Sequence, residues 1–406
     1  MISVEQALEQ VTAGVRLTDT EEVDLADALG RVLAEDLQSN LTLPPADVSS
    51  MDGYAVRSAD VASPPATLTR IGESAAGGSF DGTVGPGQTV RIFTGAPLPD
   101  GADAIVIQED TDVDGDAVTM KETAPVGRFV RPAGLDFKQG DVLLKAGTVL
   151  TGRNIGLAAA MNHARLPVRR RPRVAVLATG NELVMPGDAV GPNQIVSSNS
   201  IAVASYVKAL GGEPVDLGIA RDTVESLLEK LEGARGCDLL ITIGGASVGD
   251  YDLVGQVLGE EGMDLTFYKI AMRPGKPLIF GQLGEVPVLG LPGNPVSAGV
   301  TCIVFLRPAL QVMLGIYRPD ESGRANSALL GRDLKENNHR QDYLRAVFGT
   351  DSDGNLTATP YEKQDSSMMA LFSDADCLVV RPPQAPAARQ GERVEVIPLK
   401  NGMVSI

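Results

Sequence analysis

The sequence predicts a multidomain α/β and β protein. It has a central α/β domain with a mostly parallel sheet, a helical N-terminal domain with an inserted β-rich domain, and a C-terminal β domain. Three observations carry this reading. At 406 residues the chain exceeds what one hydrophobic core usually serves, so several domains are expected. Between residues 171 and 316 short apolar runs alternate with helix-length segments, the pattern of βαβ units. Elsewhere the chain is broken by Gly, Pro and Asp, or alternates at period two, as β-rich units do.

Taken in order, residues 3–38 read as two amphipathic helices, with Ala7, Leu8 and Val11 on one face and Leu25, Ala28, Leu29, Val32 and Leu33 on the next. From about 41 to 141 short β-like runs such as 88–93 and 104–108 stand between turn residues. Helical texture returns at 155–161. The first domain is therefore expected to be discontinuous, 1–42 plus 142–170, with the β-rich unit 43–141 inserted into it. Arg169-Arg-Arg-Pro-Arg173 suggests nucleic acid in isolation, but beside the acidity of the chain it reads as a solvated linker. The α/β domain spans 171–316, with strands at 174–177, 214–219, 238–243, 265–271, 278–280 and 286–291. Its helices fall at 199–211, 223–235 and 295–314. Residues 315–328 look like a linker, and period-two alternation at 343–348, 377–380 and 393–397 predicts a C-terminal β domain over 325–406.

Composition narrows the function. Thirty-five basic residues stand against 52 acidic ones, a net charge of −17. Such a surface repels nucleic acid and anionic membrane, so neither is expected as a partner. Any anion site must be built locally. The three cysteines, Cys237, Cys302 and Cys377, are far apart and read as reduced core thiols. Two histidines, His163 and His339, cannot make a His-rich metal site, so a bound metal should be oxygen-liganded, with Mg²⁺ favoured. The polar, helical start Met1-Ile-Ser-Val-Glu-Gln6 does not read as a signal peptide, and no segment reads as approaching a membrane-spanning run. The cytoplasm is the expected location.

Five turns concentrate the chemistry. Thr179-Gly-Asn-Glu-Leu183, Arg221-Asp222, Gly244-Gly-Ala-Ser-Val-Gly-Asp250, Arg273-Pro-Gly-Lys-Pro277 and Leu291-Pro-Gly-Asn-Pro295 each follow an expected strand. If those strands are parallel, the turns gather on the edge where open α/β sheets bind ligands. There Glu182, Asp222, Asp250 and Asp252 would offer carboxylates to Mg²⁺ and a ligand's phosphate. An Asp after a strand is also a common helix cap, and Asp222 before Thr223 and Glu225 suits that role. Gly244, Gly245 and Gly249 allow successive N–H groups to cradle an anion, although a glycine pair is often only a tight turn. The loop matches neither the dinucleotide fingerprint nor the P-loop. Arg273 and Lys276 are cations on a turn stiffened by Pro274 and Pro277. Asn294-Pro295 opens a helix whose N-terminus would face the same rim.

Together with Met51-Asp-Gly-Tyr-Ala-Val56 and Thr94-Gly-Ala-Pro97, the Thr179, Arg273 and Leu291 motifs resemble the MoeA family of molybdopterin molybdenumtransferases, to which the gephyrin E domain also belongs. The resemblance covers nearly the whole chain, in order. It implies an elongated homodimer of four-domain subunits whose α/β domain binds molybdopterin. It also implies insertion of molybdate into adenylylated molybdopterin, with AMP released and molybdenum cofactor formed. Other cofactor-synthesis proteins are possible partners. Asp52, Thr94 and Asp136 of one subunit would complete the site on the other. Glu182, Asp222 and Asp252 resemble the acidic cluster, and Gly245, Ser247 and Asp250 lie in the loop expected at the pterin ligand. Arg273, Lys276, Pro277, Pro292, Asn294, Pro295 and Ser297 resemble the molybdate side. Arg345 and Ser366 would close over it from the last domain. Relatives often carry Lys at position 273 and Val at 246. Gln364-Asp-Ser-Ser-Met368 replaces a more usual Gln-Gly-Ser-Gly, which leaves Ser366 and Ser367 both open.

No covalent nucleophile is evident, so positioning and electrostatics should supply the rate. Two rival readings remain. An enzyme that adenylylates molybdopterin would be expected to carry Gly-Gly-Thr-Gly where this chain has Gly244-Gly-Ala-Ser247. A scaffold would normally bring further domains.

Overall fold

The computed structural model describes residues 1–245, 253–316, 326–401 and 404–405. Its centre is a six-stranded sheet in the spatial order Glu213–Ala220, Arg173–Thr179, Leu239–Ile243, Val286–Leu291, Ile279–Leu283, Met263–Phe267. The first four strands are mutually parallel and the last two pair antiparallel. All five residues of Leu239–Ile243 are buried, as expected of a strand covered on both faces. Alternate residues feed two cores. Val174, Val176, Leu239, Ile241 and Leu289 enter one, while Ala175, Leu177, Leu240 and Val288 enter the other. Helices Val224–Leu231 and Leu253–Glu260 cover the second face through Leu227, Val254, Val257 and Leu258.

Helix Ser198–Ala209 covers the first face through Val203 and Val207, and two more helices join it there. One is Val4–Ala13, started by a capping box in which the Gln6 N–H donates to Ser3 Oγ and the Ser3 N–H to Gln6 Oε1, both at 3.0 Å. Its Val4, Ala7 and Val11 pack into the α/β core rather than among the residues that follow it in sequence. The other runs from Pro295 to Met313, with a π-turn at Cys302–Leu306. This corrects the expectation that no segment approaches a membrane-spanning run. The helix is long and apolar enough by composition, and 78% of its most apolar 18-residue stretch is buried inside the molecule.

The second expected amphipathic helix does not form. Thr20–Asp24 is a strand paired with Arg165–Arg169, and Leu25–Asp27 is a single 3₁₀ turn. Arg31, Val32, Leu33 and Ala34 are buried in succession, a pattern of extended chain enclosed on both sides. Bridges from Val32 to Val149 and from Leu33 to Val168 hold it there, so tertiary pairing overrides helical spacing. The core of this region joins Ala28, Leu33 and Leu37 to Phe137, Leu144, Ala158 and Met161, with helix Gly152–Ala160 on top. Between those halves a mixed six-stranded sheet forms, in the order Ala104–Ile107, Gly53–Val56, Gln88–Ile92, Ala66–Ser74, Ala117–Met120, Thr111–Asp114.

The basic run is not a solvated linker. Arg169 donates to Thr18 O at 3.1 Å, and Arg170 makes a two-pronged bond to Asp238 at 2.9 and 2.8 Å. These cations are used to tie segments together. Residues 326–328, read as the end of a linker, belong to strand Asn326–Leu330. That strand is part of a C-terminal sheet with Met272–Arg273, Gln341–Thr350, Leu356–Pro360, Arg393–Pro398 and Cys377–Arg381. A further pairing of Gln341–Thr350 with Cys377–Arg381 closes it into a barrel. All three cysteines are free and buried, and burial pushes the Cys377 thiol up to about 12.

Candidate active site

Strand direction gathers four of the expected turns on one edge. Thr179 lies beside Ala220, Ala178 beside Ile243 and Ile243 beside Leu291, so the chain leaves all four parallel strands at the same rim. The Arg273–Pro277 turn reaches it by another route. Met263–Phe267 runs toward that edge and Ile279 starts back beside Gly290, which leaves residues 268–278 to turn there.

On this rim Asn181 joins two turns. Its N–H donates to Asp222 Oδ2 and its Oδ1 accepts from the Asp222 N–H, both at 3.2 Å. Arg221 clamps the same loop from beneath, donating to Asn181 O at 3.1 Å and Leu183 O at 3.3 Å. The helix that follows is capped by Thr223, whose Oγ1 accepts from the Ser226 N–H at 3.2 Å. The capping role anticipated for Asp222 therefore falls to its neighbour. Asp222 and Glu182 are both exposed. No group of three or more His, Cys, Asp or Glu side chains able to hold a metal occurs among the described residues. The two carboxylates suit a cation that arrives with ligand phosphates and keeps its own waters, the usual manner of Mg²⁺.

Gly244 and Gly245 follow with φ of 90° and 69°. A Cβ on Gly244 would lie 2.9 Å from Thr179 O, and one on Gly245 2.3 Å from Val254 Cγ2. Backbone therefore approaches backbone at Gly244 and the Val254 side chain at Gly245, and with both φ values positive only glycine fits. Ser247, Asp250 and Asp252, expected in this loop, lie outside the described residues.

Lys276 is exposed and makes no ion pair among the described residues. Its carbonyl accepts from the N–H groups of Ile270 and Leu278, each at 3.1 Å, so the turn is closed on itself. Pro277 is half-buried and forms the turn's last residue. Arg273 donates through Nη2 to Asp342 Oδ2, a contact made because Met272–Arg273 pairs with the barrel strand that begins at Gln341.

Pro292, buried, and Asn294, exposed, form the turn before the long helix, with Pro295 at its first position and Ser297 buried one residue past Val296. Asn199 Nδ2 donates to Gly293 O at 2.6 Å, bringing the start of helix Ser198–Ala209 to the same turn. Ser366 and Ser367 take different partners. Ser366 Oγ accepts from Asn294 Nδ2 at 3.0 Å and Ser366 O from the Val296 N–H at 3.1 Å. Ser367 instead turns to Asp365, donating from its backbone N–H at 2.9 Å. Arg345 faces inward, only 1% exposed. Its Nε donates to Gln364 Oε1 at 3.2 Å and its Nη1 to Met368 O at 3.4 Å. It braces the segment carrying Ser366 rather than lying open over the rim.

Asp52 and Thr94 meet on the inserted sheet, away from these turns in sequence and in sheet. Asp52 Oδ1 accepts from the Thr94 N–H at 2.7 Å and from Thr94 Oγ1 at 2.8 Å. Those two bonds, with Arg91 nearby, hold the Asp52 carboxyl below its ordinary range. Arg91 is itself stacked over Tyr54 and Phe93 and bonded to Gln108. The exposed Asp136 sits on a neighbouring segment, its N–H donating to Leu43 O at 3.1 Å. Sequence reasoning did not single out Asn181, Arg91 or Asp342, though each lies inside or beside a quoted motif.

Three family models match the chain: the MoeA N-terminal region (domains I and II) over residues 2–162, a probable molybdopterin binding domain over 175–312, and the MoeA C-terminal region (domain IV) over 327–399. A molybdopterin molybdenumtransferase of Haemophilus influenzae is 34% identical over 405 residues, covering 99% of each chain. Molybdopterin molybdenumtransferase 2 of Mycobacterium tuberculosis is 36% identical over 406 residues, covering 98% of this chain and 99% of that protein. The solved molybdopterin biosynthesis MoeA protein from Pyrococcus horikosii superposes with a TM-score of 0.85 at 33% identity, covering 99% of this chain and 100% of that one.

Proposed function

The chain belongs to the MoeA family of molybdopterin molybdenumtransferases, and from that premise we propose that it inserts molybdate into adenylylated molybdopterin, releasing AMP and forming molybdenum cofactor. The observation that carries the reading is the convergence of the Thr179, Arg221, Gly244 and Leu291 turns, with the Arg273–Pro277 turn, on one sheet edge.

In this reading Gly245, with Ser247 and Asp250, receives the pterin ligand, while the Gly244 N–H is spent on Leu291 O at 3.1 Å and fixes the turn. Lys276 and Arg273 draw in the molybdate dianion and offset negative charge as the dithiolene sulfurs displace oxo groups. Glu182, Asp222 and Asp252 would hold Mg²⁺, which when bound neutralises the phosphates and polarises the phosphoanhydride. Pro277, Pro292, Asn294, Pro295 and Ser297 shape the molybdate side, and Ser366, braced through Arg345, closes it from the barrel. Asp52, Thr94 and Asp136 would complete the site of a second subunit in a homodimer. An ordered, ionised and exposed carboxylate on a separate sheet supports that arrangement.

The test is incubation of the purified protein with adenylylated molybdopterin, Mg²⁺ and molybdate. AMP release that depends on molybdate, with product able to activate a molybdenum-free apoenzyme, is expected. AMP transfer from ATP onto molybdopterin would instead identify the adenylylating activity. Lys276→Ala should impair molybdate use far more than binding of the adenylylated ligand, and equal loss of both would defeat the division of roles.

A further inference from the structure

We propose that Asp342 is a positioning residue: from the C-terminal barrel it holds the Arg273 guanidinium, and so fixes the direction from which the cationic turn receives an oxyanion. The inference rests on the reading of residues 273–277 as the oxyanion side of the cleft.

The backbone of the turn is already restrained. Arg273 lies in register with Asp342, Gln341 donates its N–H to Ala271 O at 2.9 Å, and Lys276 O is bonded twice. What remains free is the arginine's long side chain, which is 49% exposed. Its recorded partner is the carboxylate of Asp342, a side chain only 4% exposed. A planar guanidinium tethered through Nη2 presents its remaining N–H groups over a narrowed range of directions.

Asp342 is poorly explained as a device for stability. Burial pushes its carboxyl up, against the pull of Arg273, Arg340 and Arg381, and its Oδ1 has no hydrogen-bond partner among the described residues. A buried carboxylate left half satisfied is unfavourable for folding. It can be tolerated where the oxygen that is satisfied does something specific. Here that oxygen reaches out of the barrel to the one guanidinium on the anion turn. The same contact makes anion binding on the α/β rim depend on the docking of the barrel.

The test is a double-variant cycle on the full-length protein: wild type, Arg273→Ala, Asp342→Asn and both together. Each is titrated calorimetrically with molybdate and assayed for KM and kcat. Asp342→Asn should weaken molybdate binding and raise its KM by roughly three- to thirty-fold, the scale set by freeing one arginine's rotamers, with kcat little changed. In the Arg273→Ala background the same change should do nothing further. An unchanged KM, or an equal factor in both backgrounds, overturns the inference. Should Asp342→Asn fail to fold, Asp342→Glu, which keeps the charge but displaces the guanidinium, carries the same expectation. Wild-type protein that binds molybdate without transferring it would defeat the proposed reaction while the calorimetric cycle still decides the role of Asp342. Wild type that binds no molybdate defeats both.

Discussion

Replacing Gly275 with alanine tests how rigidly the cationic turn is held. Gly275 has a φ of 107°, a region that L-residues enter at a cost of about 1–3 kcal/mol. The new Cβ would lie 2.8 Å from Thr301 Cγ2 and 3.1 Å from Met272 Sδ. Thr301 cannot rotate away easily, because it is fully buried and its Oγ1 donates to Ser297 O at 2.8 Å and Ala298 O at 2.9 Å. Overpacking of this kind adds about 1–3 kcal/mol, so Gly275→Ala should cost about 2–6 kcal/mol in all. Thr301→Ser deletes the offending methyl while keeping the hydroxyl, and by itself should cost about 1 kcal/mol. Combined, the two should be less damaging than their sum by about 1–3 kcal/mol, because the steric part vanishes and the backbone part stays. Shifts of the urea midpoint at constant slope would measure this, and the molybdate KM should recover in parallel as the turn returns to its path. Strict additivity of the two changes would refute the idea that Thr301 fixes the turn through Gly275.

Other expectations follow from single contacts. Thr94→Val removes one of the two bonds that hold Asp52 low. The Asp52 carboxyl should rise in an NMR titration yet stay below 3.8, since the backbone N–H bond survives. Ser366→Ala loses the bond from Asn294, worth about 1 kcal/mol, and should lower cofactor synthesis about five-fold. Ser367→Ala should leave it near wild type, because Ser367 turns to Asp365. At the base of the α/β domain, burial raises the Asp238 carboxyl, but Arg170 and the Arg173 N–H outweigh it and the net shift is downward. Asp238→Asn should therefore cost about 2–3 kcal/mol at neutral pH. Because the folded value is depressed, that deficit against wild type is full above the unfolded value of 3.8 and disappears as pH falls through the lower folded one. A deficit that persists in acid would exclude the ion pair as its cause.

What the sequence disclosed depended on how locally each feature is encoded. Leu239–Ile243 and Val286–Leu291 were legible because a strand covered on both faces must be apolar at nearly every position. Once those strands are parallel, the common edge for their turns follows without further information. Residues 25–33 misled for the same reason in reverse. Spacing of three and four is compatible with a helix, but it does not exclude extended chain that finds Val149 and Val168 as partners more than a hundred residues away. The basic run at 169–173 misled because charge alone does not reveal that Asp238 waits 68 positions later. The site divides along the same line. Turn residues next to strands were visible from chemistry, whereas Asp52 and Thr94, 42 positions apart, drew attention only through resemblance. Asp342 was hidden most deeply, since a two-residue strand such as Met272–Arg273 is too short to show any periodicity. Yet that short pairing is what brings a barrel carboxylate to the anion turn. Contacts of this type, brief in backbone and long in sequence, are where linkage between domains is written, and coordinates rather than patterning are needed to find them.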